Sequence, residues 1–179
     1  MSAGRKIKTG SIHWCTPPKY VTPITEFFGK IELDPCSNSE SIVNADMELS
    51  ENGLEYDWTL AKTVFVNPPY GKNGETSIYD WLKKCFVSCS KNTEIIALIP
   101  VATNTKHWKD FVFSADVICF LNDTRLKFLI NGNTENKGAS MSCCLVYFGN
   151  RAHKFVLKFS HFGTCCRAFA KPPSERNGE

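Results

Sequence analysis

A chain of 179 residues, 42% hydrophobic and 22% charged, has the size and balance of one soluble globular domain, able to bury a core without disulfide or metal staples. No apolar run is long enough to span a membrane, and the basic, polar residues 1–10 lack the apolar stretch of a secretory signal, so a soluble cytoplasmic protein is expected. The net charge of +3 excludes little by itself.

Residues 1–12 and 172–179 read as loose ends around a single domain spanning 1–179. Between them, short apolar runs alternate with amphipathic stretches. Residues 30–33 form an apolar-ending strand that stops at Asp34-Pro35. Residues 63–66 are β-rich and stop at Asn67-Pro68-Pro69. Residues 77–91 carry Ile78, Trp81, Leu82, Cys85, Phe86 and Cys89 at helical spacing. A buried-type strand over 94–99 is closed by Pro100. A short helix over 105–113, strands over 115–121 and 143–148, and an alternating last strand over 153–159 complete the series. Strand and helix in alternation predict an α/β sheet, whose ligands bind at the carboxyl ends of its strands. Asp34 and Asn67 both stand at such ends, and they share one crevice if their strands are near neighbours.

The nine cysteines are odd in number and contain no CxxC pair, which argues against a disulfide framework or a zinc finger. Reduced, mostly buried thiols are expected, and no metal site. Charge is unevenly distributed: residues 1–100 hold 10 basic and 12 acidic side chains, residues 101–179 hold 11 and 6. Two readings fit this asymmetry, a surface for a polyanion and a solvated basic tail.

Asn67-Pro68-Pro69-Tyr70 is the most informative segment. An exocyclic amine on a nucleic-acid base is a poor nucleophile because its lone pair is delocalised into the ring. Two acceptors at its hydrogens hold it pyramidal and free the lone pair. The Asn67 side-chain carbonyl and the Pro68 backbone carbonyl suit that role. Pro68 has a fixed φ, and Pro69 drives it into an extended conformation, so its carbonyl direction is set. Tyr70 offers a flat face to a base rotated out of the duplex. Such a site works by preorganised dipoles and proximity, without a strong base.

Further motifs stand in a specific order: Trp14-Cys15-Thr16-Pro17-Pro18, Leu33-Asp34-Pro35-Cys36-Ser37-Asn38, Gly53-Leu54 with Trp58, Val66 to Gly71, Arg125-Leu126-Lys127-Phe128, and Leu145-Val146-Tyr147-Phe148-Gly149. Over about residues 13–149 the chain resembles the small phage-type, Dam-like DNA N6-adenine methyltransferases. The resemblance implies a trimmed Rossmann-like sheet of about five to seven strands flanked by helices. It implies S-adenosylmethionine as cofactor, double-stranded DNA as partner, site-specific transfer to a flipped adenine, and a host cytoplasm if the chain is phage-encoded. A short palindrome such as GATC fits it as recognition sequence. Asn67, Pro68, Pro69 and Tyr70 are then catalytic, with Asn67 also bordering the cofactor. Asp34 accepts from the cofactor's ammonium group, Pro35 and Asn38 of the same turn also bind the cofactor, and Thr16-Pro17 closes over that end. Trp14 is either core or pocket wall, and Asp46 either binds the ribose or is an exposed loop acid. Arg125, Lys127, Lys137 and Lys72 are the DNA candidates. For Arg125 and Lys127 the alternative is a solvated hairpin around the loop 130–140. The usual glycine-rich turn after the first strand is replaced by Cys36-Ser37-Asn38-Ser39. Two other readings stand beside this one: the same fold acting on guanine amines in RNA or on protein glutamine, and a catalytically silent DNA-binding relative.

Overall fold

The strand-forming runs pair into a single mixed sheet. In the computed structural model, which describes residues 14–70, 76–123, 126–130, 133–134 and 141–167, the strands are β1 (Leu33–Asp34), β2 (Met47–Glu48), β3 (Thr63–Val66), β4 (Glu94–Pro100), β5 (Val117–Leu121), β6 (Leu129–Ile130), β7 (Asn133–Thr134), β8 (Cys143–Phe148) and β9 (Gly163–Cys166). Seven of them form the sheet in the order β2-β1-β3-β4-β8-β5-β9, and β6 and β7 form a small hairpin. The first four strands in that order are mutually parallel. β8 runs antiparallel to both β4 and β5, and β9 antiparallel to β5. This is an α/β fold with the full seven strands of the expected range.

Alternation along the strands divides the core between two faces. Ile96 and Leu98 of β4, with Leu145 and Tyr147 of β8, meet helices α1 (Pro18–Phe28) and α4 (Ala152–Phe159) on one face. Ile95, Ala97 and Ile99, with Cys144, Val146 and Phe148, meet α2 (Ile78–Ser88) and α3 (Lys106–Asp110) on the other. Because both faces are covered, β4 and β8 are buried at every residue, which is why their sequences read as continuous apolar runs. Helix α2 begins at a capping box, in which Ser77 and Asp80 satisfy each other's backbone donors.

Two segments differ from expectation. Residues 152–159 are helix α4, not a strand. The alternation His153, Phe155, Leu157, Phe159 is coincidental: Phe155 and Phe159 are buried one helical turn apart, whereas Leu157 is 67% exposed. The actual last strand is β9, beside β5. Helix α1 was not anticipated. Pro18 opens it at a position where the missing N–H is harmless, and Gly29 closes it at φ 86°. Its buried face, Tyr20, Val21, Ile24 and Phe27, has helical spacing, but Pro23 inside the helix hides the pattern.

At the sheet end away from the crevice, Arg151 pairs with Glu94 and donates to the Phe27 carbonyl at 3.0 Å, while the Tyr147 hydroxyl donates to Glu94 at 2.6 Å. Burial alone would raise the Glu94 carboxyl, but the bonds from Arg151 and Tyr147 outweigh it and hold it below the usual range. The group ties α1 to β4 and β8.

Candidate active site

The strand order reverses direction between β1 and β3, which are hydrogen-bonded neighbours in the register Leu33↔Val64. From β1 the chain crosses to β2 on one side, and from β3 it crosses through α2 to β4 on the other. Divergent crossovers leave a crevice at the carboxyl ends. Asp34 ends β1 and Asn67 follows β3, so the two residues share that crevice.

Asp34 is 4% exposed. Its carboxylate accepts the Cys36 backbone N–H at 3.1 Å and has no cationic partner among the described residues. Burial is the main cause that lifts its carboxyl to about 7, with the charge of Glu48 adding to it and the Cys36 bonds opposing.

Asn67 is held through its side-chain amide. Its Nδ2 donates to the Trp14 carbonyl at 3.4 Å, and its Oδ1 accepts the Tyr70 hydroxyl at 3.1 Å. A carbonyl can only accept, so the Trp14 contact fixes which end of the amide is nitrogen. The Leu98 carbonyl at 3.4 Å is a second acceptor for the Tyr70 hydroxyl. Pro68 is buried and Pro69 exposed. The half-buried Tyr70 ring lies edge-on to Phe128, with centroids 5.9 Å apart, and Phe128 lies 5.3 Å from Trp14. Burial pushes the Tyr70 phenol well above its ordinary range, so it is a neutral donor.

The segment 14–17 joins these two groups. Cys15 exchanges both backbone bonds with Leu129, at 3.0 and 2.9 Å, and its thiol donates to Asn38 Oδ1 at 3.3 Å. Asn38 Oδ1 also accepts the Glu40 N–H at 2.9 Å, which shapes the turn after β1. Thr16 is buried, and its hydroxyl has no hydrogen-bond partner among the described residues, which is unusual for a buried hydroxyl. The Pro17 carbonyl starts α1 by accepting from Tyr20 and Val21. Trp14 therefore both packs against the core and touches the turn after β3.

Pro35 is placed by a close approach. A Cβ on Gly53 would lie 1.7 Å from the Pro35 carbonyl oxygen and 3.2 Å from the Trp81 ring. The Gly53 carbonyl accepts the buried Trp58 indole N–H at 2.7 Å. The Gly53-Leu54 and Trp58 motifs thus brace the turn that presents Asp34. Gly53→Ala should destabilise the fold by about 2–3 kcal/mol. Urea melts indistinguishable from wild type would contradict that bracing role.

Asp46 is not brought to this cluster. It precedes β2, its N–H bonds the Ile31 carbonyl, and its exposed carboxylate pairs with Lys30. Glu48, at the carboxyl end of β2 and in register with Asp34, stands where sequence reasoning had placed no residue. A two-residue strand carries no periodicity that would have revealed it. Lys127 is exposed between the buried Leu126 and Phe128, and Phe128 is the ring against Tyr70. Arg125, Lys137 and Lys72 lie outside the described residues. The approach to Arg125 is tethered, because Tyr20 donates to Asp123 at 2.5 Å and Lys19 pairs with the same carboxylate at 2.7 Å.

All nine cysteines are free; Cys166 is exposed and the others are buried or partly so. Among the described residues no cluster of His, Cys, Asp or Glu has the makings of a metal site, and no helix is long and apolar enough to cross a membrane.

A family model described as DNA N-6-adenine-methyltransferase (Dam) matches residues 6–162. No curated protein and no solved structure matches the chain.

Proposed function

The chain belongs to the DNA N-6-adenine-methyltransferase (Dam) family, and from that membership we propose that it methylates N6 of an adenine rotated out of duplex DNA at a specific sequence, using S-adenosylmethionine in the crevice between β1 and β3. Its seven-stranded mixed sheet flanked by helices is a Rossmann-like methyltransferase fold, and the family implies S-adenosylmethionine as methyl donor. Family membership favours adenine in DNA over guanine in RNA or glutamine in protein. The observation that carries the reading is the placement of Asp34 and Asn67 at the carboxyl ends of adjacent parallel strands.

The crevice residues fit the cofactor. Asp34 is a buried carboxylate without a cation, suited to an ammonium group, and the unpartnered Thr16 hydroxyl suits a further polar atom. Glu48 takes the ribose hydroxyls in this reading, since an acid at the end of the second strand is how such sheets hold a ribose. When bound, the cofactor supplies a methyl group activated on a sulfonium.

The protein's own part is positioning. Asn67 Oδ1 and the Pro68 carbonyl accept the two N–H groups of the target amine, which frees its lone pair along one direction. Asn67 Oδ1 accepts the Tyr70 hydroxyl in this structure, and its second lone pair leaves room for the target amine. The Tyr70 ring offers the base a stacking face. Lys127, with Arg125, Lys137 and Lys72, supplies contacts to DNA. Asp123 and its partners on α1 hold the stem of that segment.

The test is direct. The protein is incubated with methyl-labelled S-adenosylmethionine and mixed duplex DNA, the DNA is digested, and the modified base and its neighbours are mapped. Label in N6-methyladenine within one short sequence supports the proposal. Label in RNA or protein, or none at all despite cofactor binding, refutes it.

A further inference from the structure

Two cysteines of the sheet stand directly across from one another: Cys119 of β5 is in register with Cys165 of β9. One residue beyond that ladder the Asn122 N–H donates to the Phe162 carbonyl at 2.9 Å, which fixes the phase of the pairing. Counted back from there, Leu121↔Gly163 and Cys119↔Cys165 are pairs whose members do not hydrogen-bond to each other. In such pairs the Cα atoms approach to about 4.5 Å and the side chains lie closest. That separation falls at the short end of the roughly 4.4–6.8 Å that a disulfide spans.

Both side chains also point the same way. Cys119 belongs to the core shared with α1 and α4, and Cys165 packs against that same core. Their strand neighbours Ile118 and Phe120 face the other side of the sheet. The Cys119 thiol donates to the carbonyl of Phe159, the last residue of α4, at 3.5 Å, which holds its sulfur on the α4 side. Among the described residues no other register pair joins two cysteines. The vicinal Cys143 and Cys144 point to opposite faces, where they cannot bridge.

We propose that Cys119 and Cys165 form a redox site, a thiol pair that closes to a reversible disulfide with a small disulfide such as glutathione disulfide as its oxidant. The site lies at the β5–β9 edge of the sheet, away from the β1–β3 crevice, and stands whether or not that crevice transfers methyl groups. Cys165 is half-buried on the edge strand, whereas Cys119 is fully buried, so Cys165 meets the oxidant first. Its thiolate attacks one sulfur of glutathione disulfide, forms a mixed disulfide and expels one glutathione thiolate. Cys119 then gives up its proton, attacks the Cys165 sulfur and expels the second glutathione. Two protein thiols become one disulfide, one glutathione disulfide becomes two thiols, and the protein loses two electrons and two protons. A bond closed at the short end of the allowed separation is strained, which makes it easily reduced again.

The experiment uses the full-length protein, reduced and then freed of reductant without air. It is incubated with glutathione disulfide below its melting temperature, and the remaining thiols are alkylated in denaturant. Seven of the nine thiols should stay open to alkylation, with the intact chain lighter by two hydrogens. A peptide map without reductant should join Cys119 to Cys165, and dithiothreitol should restore all nine thiols. Cys165→Ser, treated in the same way, should form no intramolecular bond at Cys119. Nine thiols still open after treatment, a glutathione adduct that stays on Cys165 unresolved, or a bond between any other two cysteines would overturn the proposal.

Discussion

Asn67→Ala should lower the single-turnover methylation rate by roughly 10²–10³-fold, the loss expected when one preorganised polar contact to a reacting group is deleted. In the proposed mechanism the substitution removes one of two acceptors for the amine and leaves the Pro68 carbonyl alone. With one acceptor the nitrogen relaxes toward planarity, and its lone pair returns to the ring. The fold should survive. Among the described residues, the side chain of Asn67 makes only a 3.4 Å bond to the Trp14 carbonyl and a 3.1 Å bond from the Tyr70 hydroxyl, both at the sheet's open end. Stability should therefore change by about 1 kcal/mol or less, and cofactor affinity only modestly. Rapid-quench turnover with a thermal melt and a cofactor titration separates these effects. Full-rate methylation by the variant would eliminate the amine-gripping mechanism.

Asp34→Asn should do the opposite to binding and to stability. In the proposed reading, loss of the carboxylate deletes the partner of the cofactor's ammonium group, and affinity should fall by about 30-fold or more at pH 8. The ligand-free protein should become more stable at that pH. The sign follows from the protons bound in each state. The unfolded carboxyl titrates near about 4, whereas burial raises the folded one to about 7. Between those values the native state holds more protons than the unfolded chain, so stability falls as pH rises from about 4 to 7 and stays lower above it. Asparagine carries no charge to bury and escapes that loss. Ligand-free melts should show Asp34→Asn close to wild type at pH 4 and above it at pH 8. A variant that melts lower than wild type at pH 8, or binds the cofactor equally well, would show that Asp34 is a structural acid.

Much of this arrangement was legible in the residues. β3 and β8 have the bounds that their apolar runs announce, because strands buried on both faces need no alternation to be seen. Helix α2 was visible from its spacing, and its capping box fixes its start. The adjacency of β1 and β3 was a condition that sequence left open, since strand order depends on which way each crossover turns. Helix α1 was hidden by prolines at its start and middle, although Pro18 favours a first turn and Pro23 is tolerated among buried neighbours. Helix α4 was mistaken for a strand because eight residues hold only two helical turns, too few to outweigh an accidental alternation. In the site, Asn67 was legible from its chemistry and Asp34 from its place at a strand end and the family resemblance, but their partners were not. The Trp14 and Leu98 carbonyls are contacts between distant segments, and backbone carbonyls leave no mark in sequence. Glu48 was passed over for Asp46 because two acids two residues apart cannot be ranked until the strand between them is seen.

The sheet's β2–β1 end rests on strands of two residues each, in contrast to the seven-residue β4 near its centre. The regular ladder there is short, carried on by Asp46, Met47 and Leu49 donating to the Ile31, Glu32 and Asp34 carbonyls, and the margin of a sheet belongs to the less stable part of a protein. In the proposed reading that margin is the methyl-donor side. A ligand lodged against Asp34 and Glu48 would serve as its missing buttress, so the donor would be scaffold as well as reagent, and the firmness of the enzyme would track the metabolic supply of its own substrate.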